Sequence, residues 1–552
     1  MNKMILRRLA TVAVAAGLGV AAPGCNIDRL PEYEQTSEAV FADFNNYKPL
    51  LAKLYAGLAV TGQARTDAAD ISGLDEGYSQ YLRAYFTHQE LTTDEAVMTW
   101  NDQTVQNFHA MTWTSTDVFV RAMYSRVYYQ ISLCNEFLRQ TTDAQLSERG
   151  ISGANAETTR RYRAEARFLR ALSYWHAIDL FGNVPFTTEE DLVGANFQPR
   201  QAARAEVFNY IESELKAIGD DGGPLADARQ NEYARADKAA AWTLLAKLYL
   251  NAEVYTGTAR YTDCLTYASK VIGADYQLNP NGGLPAGANN RYRNLFLADN
   301  NTSPEIIFPI AFDGTRTQSF GGMTYLVNAS VGGAMPKEAF GVANGGWGGY
   351  RATQALTDLF PDPARPDTTQ NNPDRRFLFY TNGQSREINV VRDRFTDGFA
   401  YKKFRNVTSN LQPGTDVLDR THPDTDFPMF RLADVYLMYA EAVLRGGTGG
   451  SAAQALTYIN NLRERAYGNP TGNITAAQLN LNFILDERAR ELYGECHRRT
   501  DLIRFGRFVS GKNWPWKGDE KAGRDVEPFR VLFPIPTADL TVNQNLRQNP
   551  GY

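Results

Sequence analysis

Helical periodicity in this chain falls into an early block and a late block, separated by a long stretch that carries almost none. That division constrains the fold more than any single motif does. In the early block, residues 47–60 (YKPLLAKLYAGLAV), 118–138 and 161–181 (RYRAEARFLRALSYWHAIDLF) repeat apolar residues every three or four positions, and Gly182 and Pro185 supply a stop. Residues 238–254, with Asp237 as cap, and 261–272 read as an antiparallel pair. In the late block, 432–444 ends at Gly446-Gly447 and pairs with 452–465, and a last helix spans 476–492. The segments LLAKLYLNA (244–252) and YLMYAEAVL (436–444) both set alanine and tyrosine at helical spacing. Small residues let helices approach and aromatics fill the space opposite, which is the packing of tetratricopeptide-like repeats of about 34 residues. Periodicity alone leaves an irregular helical domain open as well.

Between the blocks, residues 282–428 are rich in Gly, Asn, Asp, Thr and Pro, interrupted only by short strands such as EIIFPIAF (305–312). Residues 62–114 have a similar character. So long a loop-rich insertion in a helical frame is the expected place for a binding surface. The 29 Tyr, 29 Phe and 7 Trp make up 12% of the chain, and those outside helices need a reason other than helix packing.

The N-terminus carries its own signal. Arg7 and Arg8 precede an apolar run over 9–22, then Ala22-Pro23-Gly24 and Cys25. About 14 apolar residues are too few to span a bilayer, so residues 1–24 read as a signal peptide. Cys25 is then the candidate acylated first residue of a lipoprotein, the alternative being a secreted protein with a cysteine at that place. A net charge of −5 without a basic block argues against a nucleic-acid partner. Cys134, Cys264 and Cys496 show no metal spacing and read as buried thiols. His88, His109, His176, His422 and His497 show no zinc or triad spacing, and no Gly-x-Ser-x-Gly or phosphate loop occurs in context. Nothing singles out an enzyme. An oxygen-rich set, Asp299 and Asn301 in ADNN with Asp424 and Asp426 in PDTDFP, suits a hard cation such as calcium, although solvated loop carboxylates are the equal alternative.

Five ordered blocks carry a resemblance: RAEARFLRALSYWHAIDLFGNVP (163–185), RADKAAAWTLLAKLYLNAEVYTG (235–257), FRLADVYLMYAEAVLR (430–445), DERARELYGECHRRTDLIRFGRF (486–508) and FPIPTADLTVNQNLRQNPGY (533–552). In this order they resemble the SusD/RagB family of outer-membrane glycan-binding lipoproteins, over essentially the whole of residues 25–552. The resemblance implies a mainly α, non-catalytic domain. Its scaffold would be four tetratricopeptide-like helix pairs over about 40–280 and 429–552, with the ligand presented by a variable region over about 282–428, to which 62–114 contributes.

The stretches at 73–100, 294–301 and 320–327, with the surroundings of Trp347, resemble the family's founding, starch-binding member. There two tryptophans and a tyrosine cradle the curved face of a helical α-glucan. The tryptophans fall on Trp100 and Trp347, and the tyrosine falls on Phe320, which can stack but has no hydroxyl. The polar contacts fall on Asp75 and Arg83, and an asparagine there becomes Gln103 here. Arg83 has a second reading, as a partner of Glu90 or Asp94. Tyr350, Trp514 and Trp516 read as packing residues. That relative also carries a calcium at a place comparable to the oxygen-rich set, where an ion would pin the variable loops to the scaffold; no other cofactor is implied. The implied role is capture of malto-oligosaccharide at the cell surface for a SusC-type TonB-dependent transporter, from an outer-membrane lipid anchor on Cys25. A lid for another glycan, or for peptides, is the alternative.

Overall fold

The computed structural model describes residues 36–552 apart from 64–68, 103, 192–193, 195–196, 280–291, 344–345, 362–371 and 417–419. The leader, Cys25 and Gln103 therefore lie outside the described residues. The chain divides into two units, the first ending at Asn46 and the second Tyr47–Tyr552. In the first, a short helix, Ser37–Phe41, starts at Thr36, whose hydroxyl accepts the Ala39 N–H. The second unit contains all that follows.

The twelve helices that matter here are α1 (Tyr47–Ala59), α2 (Tyr81–Glu90), α3 (Val118–Gln140), α4 (Gly153–Phe181), α5 (Arg204–Gly219), α6 (Lys238–Leu250), α7 (Tyr261–Ile272), α8 (Gly322–Ala329), α9 (Leu432–Leu444), α10 (Ala452–Tyr467), α11 (Leu481–Leu492) and α12 (Arg498–Arg504). The long helices pack in a series: α3 on α4, α4 on α5, α5 on α6, α6 on α7, α7 on α9 and α9 on α10. This is the nearest-neighbour array expected of tetratricopeptide-like repeats. Within it α6 is central, and all of its residues but Lys238 and Trp242 are buried. Its alanines allow close approach on several sides at once, so it shows no single apolar stripe.

Side-chain caps account for several starts. Asp117 accepts from Phe119 and Val120 N–H ahead of α3, and Asp237 accepts from Ala240 N–H ahead of α6. Three helix boundaries differ from the periodicity by more than two residues. α4 begins at Gly153 rather than 161, because its first two turns (GANAETTR) are polar and exposed for the most part. The helix expected over 238–254 stops at Leu250 and resumes as a separate turn, Ala252–Thr256. The one expected over 476–492 is broken at Asn480, whose side chain caps α11 instead.

The loop-rich stretches build the remaining layer. Strands β1 (Ala96–Met98), β2 (Ile306–Ile310), β3 (Tyr350–Ala352), β4 (Phe379–Tyr380), β5 (Phe399–Tyr401) and β6 (Phe427–Arg431) are short. An antiparallel sheet in the order β1-β3-β5-β4 joins residues 96–98 to the variable region, with Val97 opposite Arg351. β2 pairs with β6, which runs directly into α9.

A buried charge network ties this layer to the helices. Arg431 reaches Glu305 (3.0 Å), Glu491 (2.7 Å) and Glu495 (2.6 Å). Arg465 bridges Glu305 and Glu491, and Arg376 binds Asp374, Glu487 and Glu491. Burial alone would raise the Glu491 carboxyl, but Arg465, Arg431 and Arg376 outweigh it and hold it at about 2. Each charge in this network has an opposite partner, and such a network favours the arrangement of the loops that keeps its charges paired.

Candidate functional site

The site begins at an Asx turn. Asp75 Oδ1 accepts the N–H groups of Gly77 (2.8 Å) and Tyr78 (3.0 Å), which turns the chain toward α2. Gln80 then caps α2 by accepting the Arg83 N–H, while its amide donates to Leu58 O. Arg83 thus leaves the first turn of α2 in a defined direction. Its guanidinium lies 4.4 Å from the Tyr325 ring centre and 5.7 Å from that of Trp100. Burial lowers its pKa from the ordinary value, partly offset by Tyr325, Asp75 and Asp102.

Trp100 follows β1 and is held on three sides. Its indole N–H donates to Trp347 O (3.1 Å), its ring stands edge-to-face with Tyr325 with ring centres 5.9 Å apart, and it packs on Gly349, where a Cβ would lie 2.8 Å from the ring. Trp347 is fixed in turn by its own N–H on Asn328 O (2.7 Å), at the end of α8. The two indoles stand 6.3 Å apart with their planes inclined by 47°. Phe320, just before α8, is 38% exposed. It closes on the Asx turn: a side chain at Gly77 would meet Arg83, Asp75 and Phe320 at once.

Together these groups line an open cleft of about 650 Å³ that also includes Tyr78, Asn101 and Asp102. Trp100, Trp347, Phe320, Asp75 and Arg83 are thus brought together from four separated stretches. Arg83 makes no ion pair with any described residue; Asp94 pairs instead with Arg498 (2.7 Å), and Glu90 accepts the Cys496 N–H. Five further lining side chains were not singled out from the sequence: Glu76, Phe119, Tyr78, Asn101 and Asp102. Tyr325, beneath Arg83 and Trp100, was also missed. The only cue for the last three was position, beside Trp100 or inside the FGGMTYLV block.

Other aromatics have packing roles. Tyr350 is buried and donates to Leu326 O (2.8 Å). Trp514 is buried near Phe508, and Trp516 packs against Val97, Ile388 and Val391. His176 accepts or donates at Tyr81 OH (2.8 Å), stacks on Tyr85, and is pushed down to about 3 by burial.

The oxygen-rich set does not fit a calcium cage. Asp299 is engaged by Ser409, whose N–H and hydroxyl both donate to it, and Asn301 is exposed. Asp424 accepts from Gly314 N–H and from Thr415. Asp426 accepts from Phe312 N–H and the Tyr233 hydroxyl, and burial raises it to about 6. Among the described residues no three His, Cys, Asp or Glu side chains gather for a metal ion. These carboxylates order the loops directly, and the buried arginine network joins loops to scaffold.

This geometry can be set beside known proteins. The model of the SusD family matches residues 365–552, and a model described as starch-binding associating with outer membrane matches residues 35–250. The starch-binding protein SusD of Bacteroides thetaiotaomicron is 36% identical over 597 aligned residues, covering all of both chains. The chain belongs to the SusD family. The SusD-like protein P25 of Formosa agariphila is 27% identical over 70% of this chain and 73% of its own. Among solved structures, a SusD-like carbohydrate-binding protein from Bacteroides fragilis superposes with a TM-score of 0.68 at 20% identity, over 92% of this chain and all of that one. The fold is therefore the mainly helical SusD fold, in a family whose proteins bind carbohydrate and do not transform it.

Proposed function

We propose that this protein binds starch-derived α-glucan chains at the cell surface, in the cleft between Trp100, Trp347 and Phe320, and passes them to a SusC-type TonB-dependent transporter. The observation that carries this reading is the 47° inclination of the paired indoles beside an exposed phenylalanine. A neutral sugar has no charge to grip, so it is held by C–H faces on aromatic rings and by hydroxyls on planar polar groups. A flat, extended glycan matches coplanar platforms, whereas a turning α-linked chain matches inclined ones. Burying about 100 Å² of sugar face on one ring yields roughly 2–3 kcal/mol before costs. Arg83 and Asp75 can bridge neighbouring hydroxyls with their two-pronged groups. Ordering a flexible oligosaccharide offsets much of this, which leaves affinity in the micromolar to millimolar range.

The full chain's similarity to a starch-binding relative supports the same reading. Cys25 would carry the lipid that holds the protein at the outer membrane, and crowding on that surface adds avidity. The test is calorimetry against maltoheptaose, a cyclodextrin, pullulan and several β-glucans. Binding to the α-glucans and a loss of at least about tenfold in Trp100→Ala is expected. Binding to β-glucans alone, or to peptides with Trp100→Ala unaffected, overturns it. Palmitate labelling that disappears in Cys25→Ala tests the anchor.

A further inference from the structure

A second pocket, of about 390 Å³, borders the cleft and shares Trp100, Asn101 and Asp102 as walls; its other side is made by Gly348, Asp393 and Phe395. The segment that carries Asp393 and Phe395 is built in place. Arg351, fully buried in β3, donates to the carbonyls of Val391 (2.6 Å), Arg394 (2.6 Å) and Asp397 (2.8 Å). Asp397 accepts the N–H groups of Asn389 (3.1 Å) and Val390 (2.8 Å), and Asp393 N–H donates to Thr99 O (3.0 Å). The Phe395 ring is seated on bare backbone: a Cβ at Gly332 would come within 2.9 Å of it, and one at Gly348 within 3.5 Å. Yet the ring is only half-buried. A buried arginine, an aspartate and two glycines thus hold one aromatic face and one carboxylate at the mouth of an open pocket.

We propose that this pocket is a further subsite for the same α-glucan chain, with Phe395 stacking a pyranose ring and Asp393 accepting from its hydroxyls; this rests on the α-glucan reading of the main cleft. Because Trp100, Asn101 and Asp102 wall both spaces, a chain that fills both must turn over them. A bent α-linked chain does so, and a straight β-linked one does not. The subsite therefore selects for length as well as for linkage.

Calorimetry with maltotriose, maltoheptaose and cellohexaose separates the possibilities. Phe395→Ala is expected to weaken maltoheptaose by about fivefold or more while leaving maltotriose within about twofold. Phe395→Leu, which still fills the seat on Gly332 and Gly348, is expected to show the same length-dependent loss. Asp393→Asn is expected to lose less. Unchanged maltoheptaose binding in Phe395→Ala and Phe395→Leu, or an equal loss for both lengths, overturns the subsite. If Trp100→Ala leaves every glycan bound normally, it is the main-cleft reading that fails.

Discussion

Gly349→Ala isolates the role of the Trp100 platform. The new methyl would lie 2.8 and 2.9 Å from two atoms of the Trp100 indole and 3.1 Å from Ala329 Cβ. Ordinary carbon contacts are about 3.5–4.0 Å, so something must retreat by about 0.6–1.2 Å. The backbone at this residue is held on both sides, by its N–H on Ala329 O (2.7 Å) and by Thr99 N–H on its carbonyl (3.0 Å). The indole therefore moves. That movement breaks or bends its bond to Trp347 O, worth about 0.5–1.5 kcal/mol, and disturbs the edge contact with Tyr325, worth a similar amount. A platform misplaced on this scale should lose about 1–2 kcal/mol of glycan binding, or roughly 5–30-fold. The same contacts are part of the fold, so thermal stability should also fall by about 1–3 kcal/mol, offset by the roughly 0.4–1 kcal/mol that alanine gains from a stiffer unfolded chain. Maltoheptaose calorimetry, with tryptophan fluorescence and a melting curve on the same sample, reads all three. Wild-type affinity with an unshifted emission spectrum would refute the argument that Gly349 seats the ring.

Two further outcomes follow from buried charge. Glu90 is pushed up to about 7 from 4.5 by burial, opposed by hydrogen bonds from Glu95 and Cys496 and by the Lys403 charge, while burial and Glu90 raise Glu95 well above the usual carboxylate range. A raised carboxyl contributes stability that is full below about 4.5 and is lost as pH climbs through about 7. Between about pH 5 and 8, Glu90→Gln should therefore gain up to about 3 kcal/mol relative to wild type, and parallel melting profiles for the two would contradict it. Arg431→Met should destabilise the fold by about 3–5 kcal/mol in chemical denaturation, because Glu305, Glu491 and Glu495 would face one another without their shared cation. A change below about 1 kcal/mol would mean the network is not what holds the loops.

The helices were legible because their signal is local. Residues 261–272 and 432–444 coincide with α7 and α9, and Asp237 caps α6 as its position suggests. Two of the misses were of one kind. Asn480 and Asn251 interrupt apolar patterns that continue past them: Asn480 accepts the Phe483 N–H, Asn251 donates back to Lys247 O, and such side-chain bonds to the backbone win over periodicity. The site was legible mainly through resemblance: the residues themselves single out no partner for Trp100 or Arg83. For the oxygen-rich set a cation and loop carboxylates stood as equal readings, because clustered acidic letters say nothing about which N–H groups will reach them first. Here Ser409, Gly314, Thr415 and Phe312 do.

From the sequence alone, then, came the helical array, its loop-rich interruption and the identity of the aromatic residues available for a ligand. Each depends on neighbours a few positions apart. Only the tertiary structure decided that Trp100 leans on Gly349, that Trp347 inclines by 47° beside it, and that Arg83 faces the cleft rather than Asp94. Those relations join residues from near 80, 100, 320 and 347, and they rest on strand pairing, ring contacts and buried charges that no local pattern encodes.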